Sequence, residues 1–467
     1  MLRIFKIVVP KSIVTLLVSE AAILYGCYAA GVFLAEQLVE GPAFSRFFLF
    51  DDHGFFRLAF VTATIMFGLY LNDLYENFHI HSKVEIIQQV CLAVGVAFLT
   101  QALMSYGVSG WIVPRYSMIL GSLLVLLVIP PWRLFYSTSL FRAIGAERVL
   151  FIGSSPLLRE IADRLSQRTA FGLQVIGFLD DDPESASQLP GIPRLGTLAD
   201  LQKVMERKPD RIVVGLSDLR NQLPIQELLL LRFAGVRIQH AAQLYETAFG
   251  RVCTREFRPS DLIFSSELGP RLGSVSLQTV YCTVFAAILL VLAAPIMLLV
   301  AIAVRLTSPG PVLFRQTRVG KADRNFTVYK FRSMRADAEK GTGAVWATRN
   351  DPRITPLGKF LRKSRLDELP QLYNVLIGEM AIAGPRPERP EFVKTLAEKI
   401  PYYQQRHCVK PGITGWAQIN YKYGDTFEDT VNKLEYDLYY IKNVSISLDA
   451  YIFFHTIKTM LLSRGAQ

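Results

Sequence analysis

A run of twenty-six uncharged residues, Thr279 to Val304, most limits what this chain can fold into. So long an apolar stretch belongs in a bilayer or a very large core. Four more apolar segments open the chain, near Ser12–Ala35, Phe55–Leu71, Ile86–Ser105 and Tyr116–Trp132. Each is about long enough to cross a ~30 Å hydrocarbon layer, which takes ~20 helical residues. An apolar share of 51% and a mean hydropathy of +0.27 are high for a soluble protein, and the excess is gathered into these runs. The expectation is a membrane protein.

Charge sets its orientation. Arg3, Lys6 and Lys11 precede the first segment and Arg133 and Arg142 follow the fourth, whereas the first loop carries Glu36, Glu40, Asp51 and Asp52. Both ends of a four-helix transmembrane unit, residues 1–145, should then face the cytoplasm. Glu20 falls within the first segment, where an ionisable group is costly, and an interhelical hydrogen bond is the favoured reading over a functional role. The fifth run, 279–304, has Arg271 before it, Arg305 after it and Pro295 near its middle. Proline lacks an N–H and breaks or kinks a helix, leaving arms of about 13–16 residues, or ~20–24 Å. These arms dip into a membrane without crossing it, so a re-entrant helical hairpin broken at Pro295 is expected, with a Pro-kinked span as the competing reading.

Between these elements, residues 146–262 change character. Val149–Ile152, Val175–Leu179, Arg211–Gly215 and Val236–Ile238 read as strands, and Leu157–Leu165 as an amphipathic helix. Alternating β and α suggests a small parallel, Rossmann-like α/β domain. Its turn Gly153-Ser154-Ser155 offers one glycine where a dinucleotide fingerprint has three, so a folded spacer or a regulatory ligand site is at least as good a reading.

The net charge of +11 does not point to nucleic acid, because Lys and Arg lie beside apolar segments and among C-terminal motifs. Anionic lipid headgroups and phosphorylated substrates suit it better. Cys27, Cys91, Cys253, Cys282 and Cys408 contain no CxxC pair, which argues against a zinc site or a disulfide framework.

Chemistry concentrates in residues 272–467. Asp367 and Glu368 adjoin within an Arg-flanked apolar frame, Arg362 to Ile377, and suggest a nucleophile beside a metal ligand. Two first-turn carboxylates complementing a helix dipole are the plain alternative. Around them stand Thr307-Ser308-Pro309-Gly310-Pro311 continuing to Gln316, Tyr329-Lys330-Phe331-Arg332-Ser333-Met334, Asn350-Asp351-Pro352-Arg353-Ile354-Thr355, Gly384-Pro385-Arg386-Pro387, and Val409-Lys410-Pro411-Gly412 continuing to Gln418.

In the order and spacing of these six motifs, the stretch from about Leu277 onward resembles the bacterial sugar transferases, the polyprenyl-phosphate hexose-1-phosphate transferases of exopolysaccharide and O-antigen synthesis. The four-span unit and α/β insert resemble the long form of that family. The resemblance implies a mostly helical, monotopic catalytic domain on the cytoplasmic face of the bacterial inner membrane. Its partners would be a UDP-sugar, undecaprenyl phosphate and membrane lipids, with no nucleic acid, and large members suggest a homodimer. It implies that Asp367 is the nucleophile, forming a sugar-phosphoryl aspartate, and that Glu368 holds Mg²⁺. Lys330, Arg332, Arg362 and Arg386 are the implied phosphate cradle, and Asp437, in Glu435-Tyr436-Asp437, a further substrate-binding candidate. Such a cradle suits phosphoryl transfer, which depends on positioning and charge stabilisation.

Several positions depart from the family pattern. Ala294 precedes Pro295 where Ser is frequent, Gln278-Thr279-Val280-Tyr281 replaces a basic-Phe-Asp start, Arg365 stands where Ser or Thr is usual, and Glu379 replaces a common Asp. The last apolar stretch, Leu448–Leu462, reads as an interfacial amphipathic helix or a core helix. Two other functions remain as alternatives: an NAD-dependent nucleotide-sugar dehydratase or epimerase, and a non-catalytic scaffold for polysaccharide assembly.

Overall fold

A computed structural model of the chain describes residues 2–4, 7–9, 11–72, 74–75, 83–107, 109–136, 147–167, 173–182, 189–215, 223–256, 269–270, 272–335, 338, 353–421 and 426–461. Lys6, Arg142, Arg271 and Asn350-Asp351-Pro352 lie outside the described residues. Apart from its first seven residues, the chain forms two units that divide between Ala241 and Ala242.

In the first unit the apolar segments are helices α1 (Lys11–Ala35), α2 (Gly54–Leu71), α3 (Lys83–Gly107) and α4 (Arg115–Phe135). All four are long and apolar enough to cross a membrane. Their outward faces expose large apolar side chains, among them Val18, Phe33, Leu103 and Leu127. Their inward faces use small residues, which let helices approach where no hydrophobic effect drives them together. A Cβ on Gly31 of α1 would lie 2.6 Å from the Gly121 nitrogen of α4, and one on Gly68 of α2 would lie 2.9 Å from the Ala93 Cα of α3.

Glu20 is fully buried in this bundle, and the interhelical reading holds. Its carboxylate lies 2.6 Å from Arg133 Nε of α4 and accepts 2.7 Å bonds from Arg133 Nη2 and the Tyr75 hydroxyl. Its partner, Arg133, is one of the arginines that flank the fourth apolar segment.

The α/β part has five parallel strands, β1 (Glu147–Ile152), β2 (Leu173–Leu179), β3 (Arg194–Gly196), β4 (Arg211–Val214) and β5 (Arg237–His240), in the order β3-β2-β1-β4-β5. Helices α5 (Pro156–Gln167) and α6 (Ile225–Phe233) follow β1 and β4. Val149 to Ile152 are wholly buried, as expected of a central strand covered on both faces. The expected Rossmann-like rhythm is present, with β3 the strand too short to show in the sequence pattern.

The next helix straddles the division between the two units, inside the 146–262 stretch read from sequence as one domain. The segment of α7 (Ala241–Phe249) from Ala242 onward, with residues 250–256, folds with the C-terminal unit. There Lys442 pairs with Glu246 at 3.0 Å, the Tyr245 hydroxyl donates to Glu435 at 3.2 Å, and the Trp416 indole N–H donates to the Gly250 carbonyl at 2.6 Å.

The second unit is built on helix α8 (Leu272–Thr307), which runs 36 residues with Pro295 inside it. The expected break does not interrupt the helix. Residues 291–296 around the proline are nearly all exposed, including Val291 at 74% and Leu292 at 67%. Both flanks are packed. Cys282 and Ala286 join a core with Phe326, Leu372 and Met380, while Val300 and Val304 join one with Phe331 and Leu361, and Leu369 packs against both.

After α8 come an antiparallel hairpin, β6 (Leu313–Val319) with β7 (Asn325–Phe331), then α9 (Pro356–Lys363) and α10 (Gln371–Leu376). Strand β8 (Ala381–Ala383) pairs in parallel with β9 (Gly412–Thr414), with α11 (Pro390–Lys399) between them. The chain closes on α12 (Trp416–Asn420), α13 (Phe427–Asn443) and α14 (Ile446–Leu461). Helix α14 buries Leu448, Asp449, Ile452 and Lys458 and exposes Ile446 and Phe454, so one face is core.

Candidate active site

Helix α9 starts from Thr355, whose hydroxyl accepts the Gly358 N–H at 2.9 Å, with Pro356 in its first turn. Gly358 has to be glycine, since a Cβ there would lie 1.9 Å from the Ser333 carbonyl oxygen. This close approach brings Arg362 to the end of β7, where its Nε donates to Ser333 Oγ at 3.0 Å.

The chain then reverses at Arg365, in the left-handed region with φ 58°, and forms a short 3₁₀ turn, Leu366–Glu368. Successive side chains on such a turn diverge by ~120°, so the two carboxylates face different surroundings. Asn374 of α10 fixes the far side by donating to the Thr327 carbonyl at 2.7 Å and to Glu379 at 2.8 Å. Glu379 thus serves the scaffold.

Glu368 is ringed by cations. Lys330 Nζ lies 2.9 Å from Oε1, Arg386 Nη2 3.6 Å from the same oxygen, and Arg365 Nη1 3.4 Å from Oε2. Burial opposes its ionisation, but Lys330, Arg386 and Arg365 outweigh burial and hold its carboxyl well below the usual range.

Asp367 is the opposite case. It is buried, and its Oδ1 has no hydrogen-bond partner among the described residues. Burial, with Glu368 beside it, pushes its carboxyl up to about 6 against the pull of Lys330, Arg362 and Arg365. Two adjacent acids thus have separated proton affinities, one locked as an anion and one poised near neutrality. Lys330, Arg362, Arg365 and Arg386 outnumber the two carboxylates, leaving a positive surplus suited to a phosphate-bearing ligand.

Three of the expected binding residues, Lys330, Arg362 and Arg386, therefore converge on the dyad or its rim, and two do not. Arg332 turns to the end of α8, where its Nη2 donates to the Ser308 carbonyl and hydroxyl at 2.7 Å each. It ties down the last carbonyls of that helix rather than facing Glu368, because β7 ends at Phe331 and the chain has already turned. Asp437 is buried against Arg406, with Oδ2 2.8 Å from Nη2, and burial pushes its carboxyl up to about 6 despite that partner. The same Nη2 donates to the Arg386 carbonyl at 2.9 Å, and Nη1 to the Tyr403 hydroxyl at 2.6 Å. Asp437 thus reaches the dyad only through Arg406 and the Arg386 backbone.

Arg365 pairs with a nearby acid, Glu368, one of the two roles its sequence position allows, whereas Arg406 is not legible in the sequence. Arg406 belongs to none of the recurring motifs, and only tertiary packing brings it under Arg386. Below that arginine, β8 and β9 approach so closely that a Cβ on Gly412 would lie 2.1 Å from the Gly384 nitrogen.

No cluster of three or more His, Cys, Asp or Glu side chains that could hold a metal occurs among the described residues. The donor set still suits Mg²⁺, which takes one or two carboxylates and completes its shell with substrate phosphates and water. Glu368 is the carboxylate that fits that role, with the unengaged Asp367 Oδ1 beside it.

Residues 275–463 match the family model described as bacterial sugar transferase, and residues 70–222 match one described as a CoA-binding domain. The chain is 35% identical over 333 residues to the UDP-glucose:undecaprenyl-phosphate glucose-1-phosphate transferase of Xanthomonas campestris pv. campestris, covering 70% of this chain and 69% of that protein. Similarity to the Klebsiella pneumoniae protein of the same name is 35% over 335 residues, 70% of each chain. A UDP-N-acetylgalactosamine-undecaprenyl-phosphate N-acetylgalactosaminephosphotransferase of Aeromonas hydrophila is 44% identical over 237 residues, which span 50% of this chain and about half, 54%, of that protein's length. With motifs, dyad and two-thirds coverage of relatives in agreement, the chain belongs to the bacterial sugar transferase family of enzymes.

Proposed function

We propose that this protein transfers a sugar 1-phosphate from a UDP-sugar to undecaprenyl phosphate, releasing UMP, through a covalent intermediate on Asp367. The observation that carries the mechanism is the contrast within the dyad: a buried Asp367 oxygen without a hydrogen bond beside a Glu368 held as an anion by three cations.

An Asp367 carboxylate oxygen attacks the β-phosphorus of the donor. The bond from that phosphorus to the bridging oxygen breaks, and its electron pair leaves with UMP. An oxygen of undecaprenyl phosphate then attacks the same phosphorus, breaking the acyl phosphate bond and regenerating Asp367. Splitting one displacement into two works because an acyl phosphate remains reactive. Lys330, Arg362, Arg365 and Arg386 orient the diphosphate and stabilise charge on the transferring group. A Mg²⁺ held by Glu368 and substrate oxygens would offset the repulsion between Asp367 and an anionic donor.

In this proposal α8 bends at Pro295 without losing its helical hydrogen bonding overall, entering the membrane and returning on the same side. The support is its exposed middle at 291–296 with both flanks packed on one catalytic unit. The site then lies at the cytoplasmic face of the inner membrane, where the first membrane step of exopolysaccharide or O-antigen synthesis would take place. Cysteine-accessibility mapping that finds residues after Arg305 on the outer side would defeat this topology.

A panel of UDP-sugars scored for UMP release with undecaprenyl phosphate tests the activity. Incubation with labelled donor alone should leave phosphosugar on the wild type and none on Asp367→Asn. Full transfer by that variant would overturn the mechanism.

A further inference from the structure

Helix α8 touches the active-site strand through a buried polar cluster for which the proposed chemistry has no use. Gln278, in the first two turns of α8, is 2% exposed. Its Nε2 lies 2.6 Å from Asp449 Oδ2, 2.7 Å from the Tyr440 hydroxyl and 3.3 Å from the Ala383 carbonyl oxygen. The Tyr440 hydroxyl lies 2.8 Å from both that carbonyl and Asp449 Oδ1, and its single proton serves one or the other. The Tyr281 hydroxyl, one turn along α8, donates to Asp449 Oδ2 at 2.5 Å. Two helices, α8 and α13, therefore converge on one backbone oxygen, and α14 braces them through Asp449.

That oxygen belongs to the last residue of β8, three before Arg386. Its strand is held on the other edge by β9: the Ala381 N–H donates to the Pro411 carbonyl at 2.8 Å and the Gly384 N–H to the Thr414 carbonyl at 2.9 Å. Past Gly384, the Pro385 carbonyl accepts the Gly412 N–H at 3.0 Å. The path from Ala383 to Arg386 thus has little slack, and Arg386 is one of the cations on Glu368. Burying this many polar atoms is tolerated only where they satisfy one another, so loss of one leaves partners stranded.

We propose that Gln278, Tyr440 and Asp449 form a positioning cluster through which the membrane helix sets the Arg386 loop. None of the three touches the dyad. They act through the Ala383 carbonyl, and their effect on turnover passes through Arg386. The turnover part rests on the sugar-phosphate transferase reading.

The test uses full-length protein in lipid nanodiscs, with Tyr440→Phe and Asp449→Asn made singly and in an Arg386→Ala background. UMP release gives kcat and KM, and hydrogen exchange reports the amides of residues 381–387. In the native background each variant should lower kcat about tenfold and speed exchange in 381–387, and in the Arg386→Ala background the further loss should shrink below about twofold. The conservative Tyr440→Phe keeps the ring and its packing, so it isolates the hydroxyl if Asp449→Asn fails to fold. An unchanged exchange rate, or a full tenfold loss persisting without Arg386, would overturn the positioning role. Absence of UMP release by the wild type on every UDP-sugar would sink the functional reading instead, and exchange alone would then decide the coupling.

Discussion

Arg406 holds Asp437 and the Arg386 carbonyl with one nitrogen: Nη2 lies 2.8 Å from the carboxylate and 2.9 Å from the backbone oxygen. A buried ion pair thereby becomes a support for the loop that carries an active-site cation. Its worth is tested by separating stability from turnover. Arg406→Met leaves Asp437 buried without its cation and should cost ~3–5 kcal/mol, whereas adding Asp437→Leu should recover most of that loss. UMP release should stay low in the double variant, because the Arg386 carbonyl still lacks its donor. Denaturant titration beside the activity assay checks both.

Asp367→Asn keeps the shape of the turn and removes the carboxylate that the proposed mechanism uses for attack. Turnover should fall by about 10³-fold or more, with donor-only labelling lost. Glu368→Gln should retain labelling at a reduced rate and need more divalent cation to reach it, as a Mg²⁺ titration would show.

Labelling should also depend on pH in a stated direction. In the proposed mechanism Asp367 attacks as a carboxylate, and its carboxyl is pushed up to about 6, so labelling should rise as pH increases through about 6 and level off above it. Bound Mg²⁺ favours the anion and should move that midpoint lower. Stability runs the other way. With its folded value above the ordinary 3.8, this group favours the fold fully below that pH and loses the contribution as pH rises through about 6.

Lys330 and Arg332 stand two residues apart and should behave differently. Lys330→Ala removes a 2.9 Å partner of Glu368 and should lower kcat/KM by about 10²-fold with little change in melting temperature. Arg332→Ala frees the Ser308 end of α8 and should lower the melting temperature while leaving KM for the donor within about twofold. Thermal unfolding and steady-state kinetics on the pair decide.

In the four-helix unit, Glu20→Gln leaves Arg133 buried without its anion and should cost ~3–5 kcal/mol, while Glu20→Leu with Arg133→Met should be near neutral. Melting in detergent checks it. A comparable loss in both would show that the pair contributes net stability.

Apolar length and motif order carry much of this structure: four helices, a parallel α/β sheet, and the acids and cations around Glu368. What escaped them depends on contacts distant in sequence. Arg332 reads as a cradle residue because it sits two places from Lys330, yet β7 ends at Phe331 and frees it to turn toward Ser308. Arg406 stands outside every motif and works by bridging to Asp437, thirty-one residues on. Residues 242–256 look like the tail of the α/β domain, and only their bonds to Glu435, Lys442 and Trp416 assign them to the catalytic unit. Proline at 295 signals a break by its chemistry, but the surrounding helix accommodates it without interruption.

The tight approach of Gly384 and Gly412 divides the site into parts that can change and a part that cannot. A single methyl group on Gly412 would collide with the backbone opposite, so the floor under Arg386 admits no substitution at that crossing. A change in what the site accepts would have to come from the side chains beside the dyad, Arg365 among them.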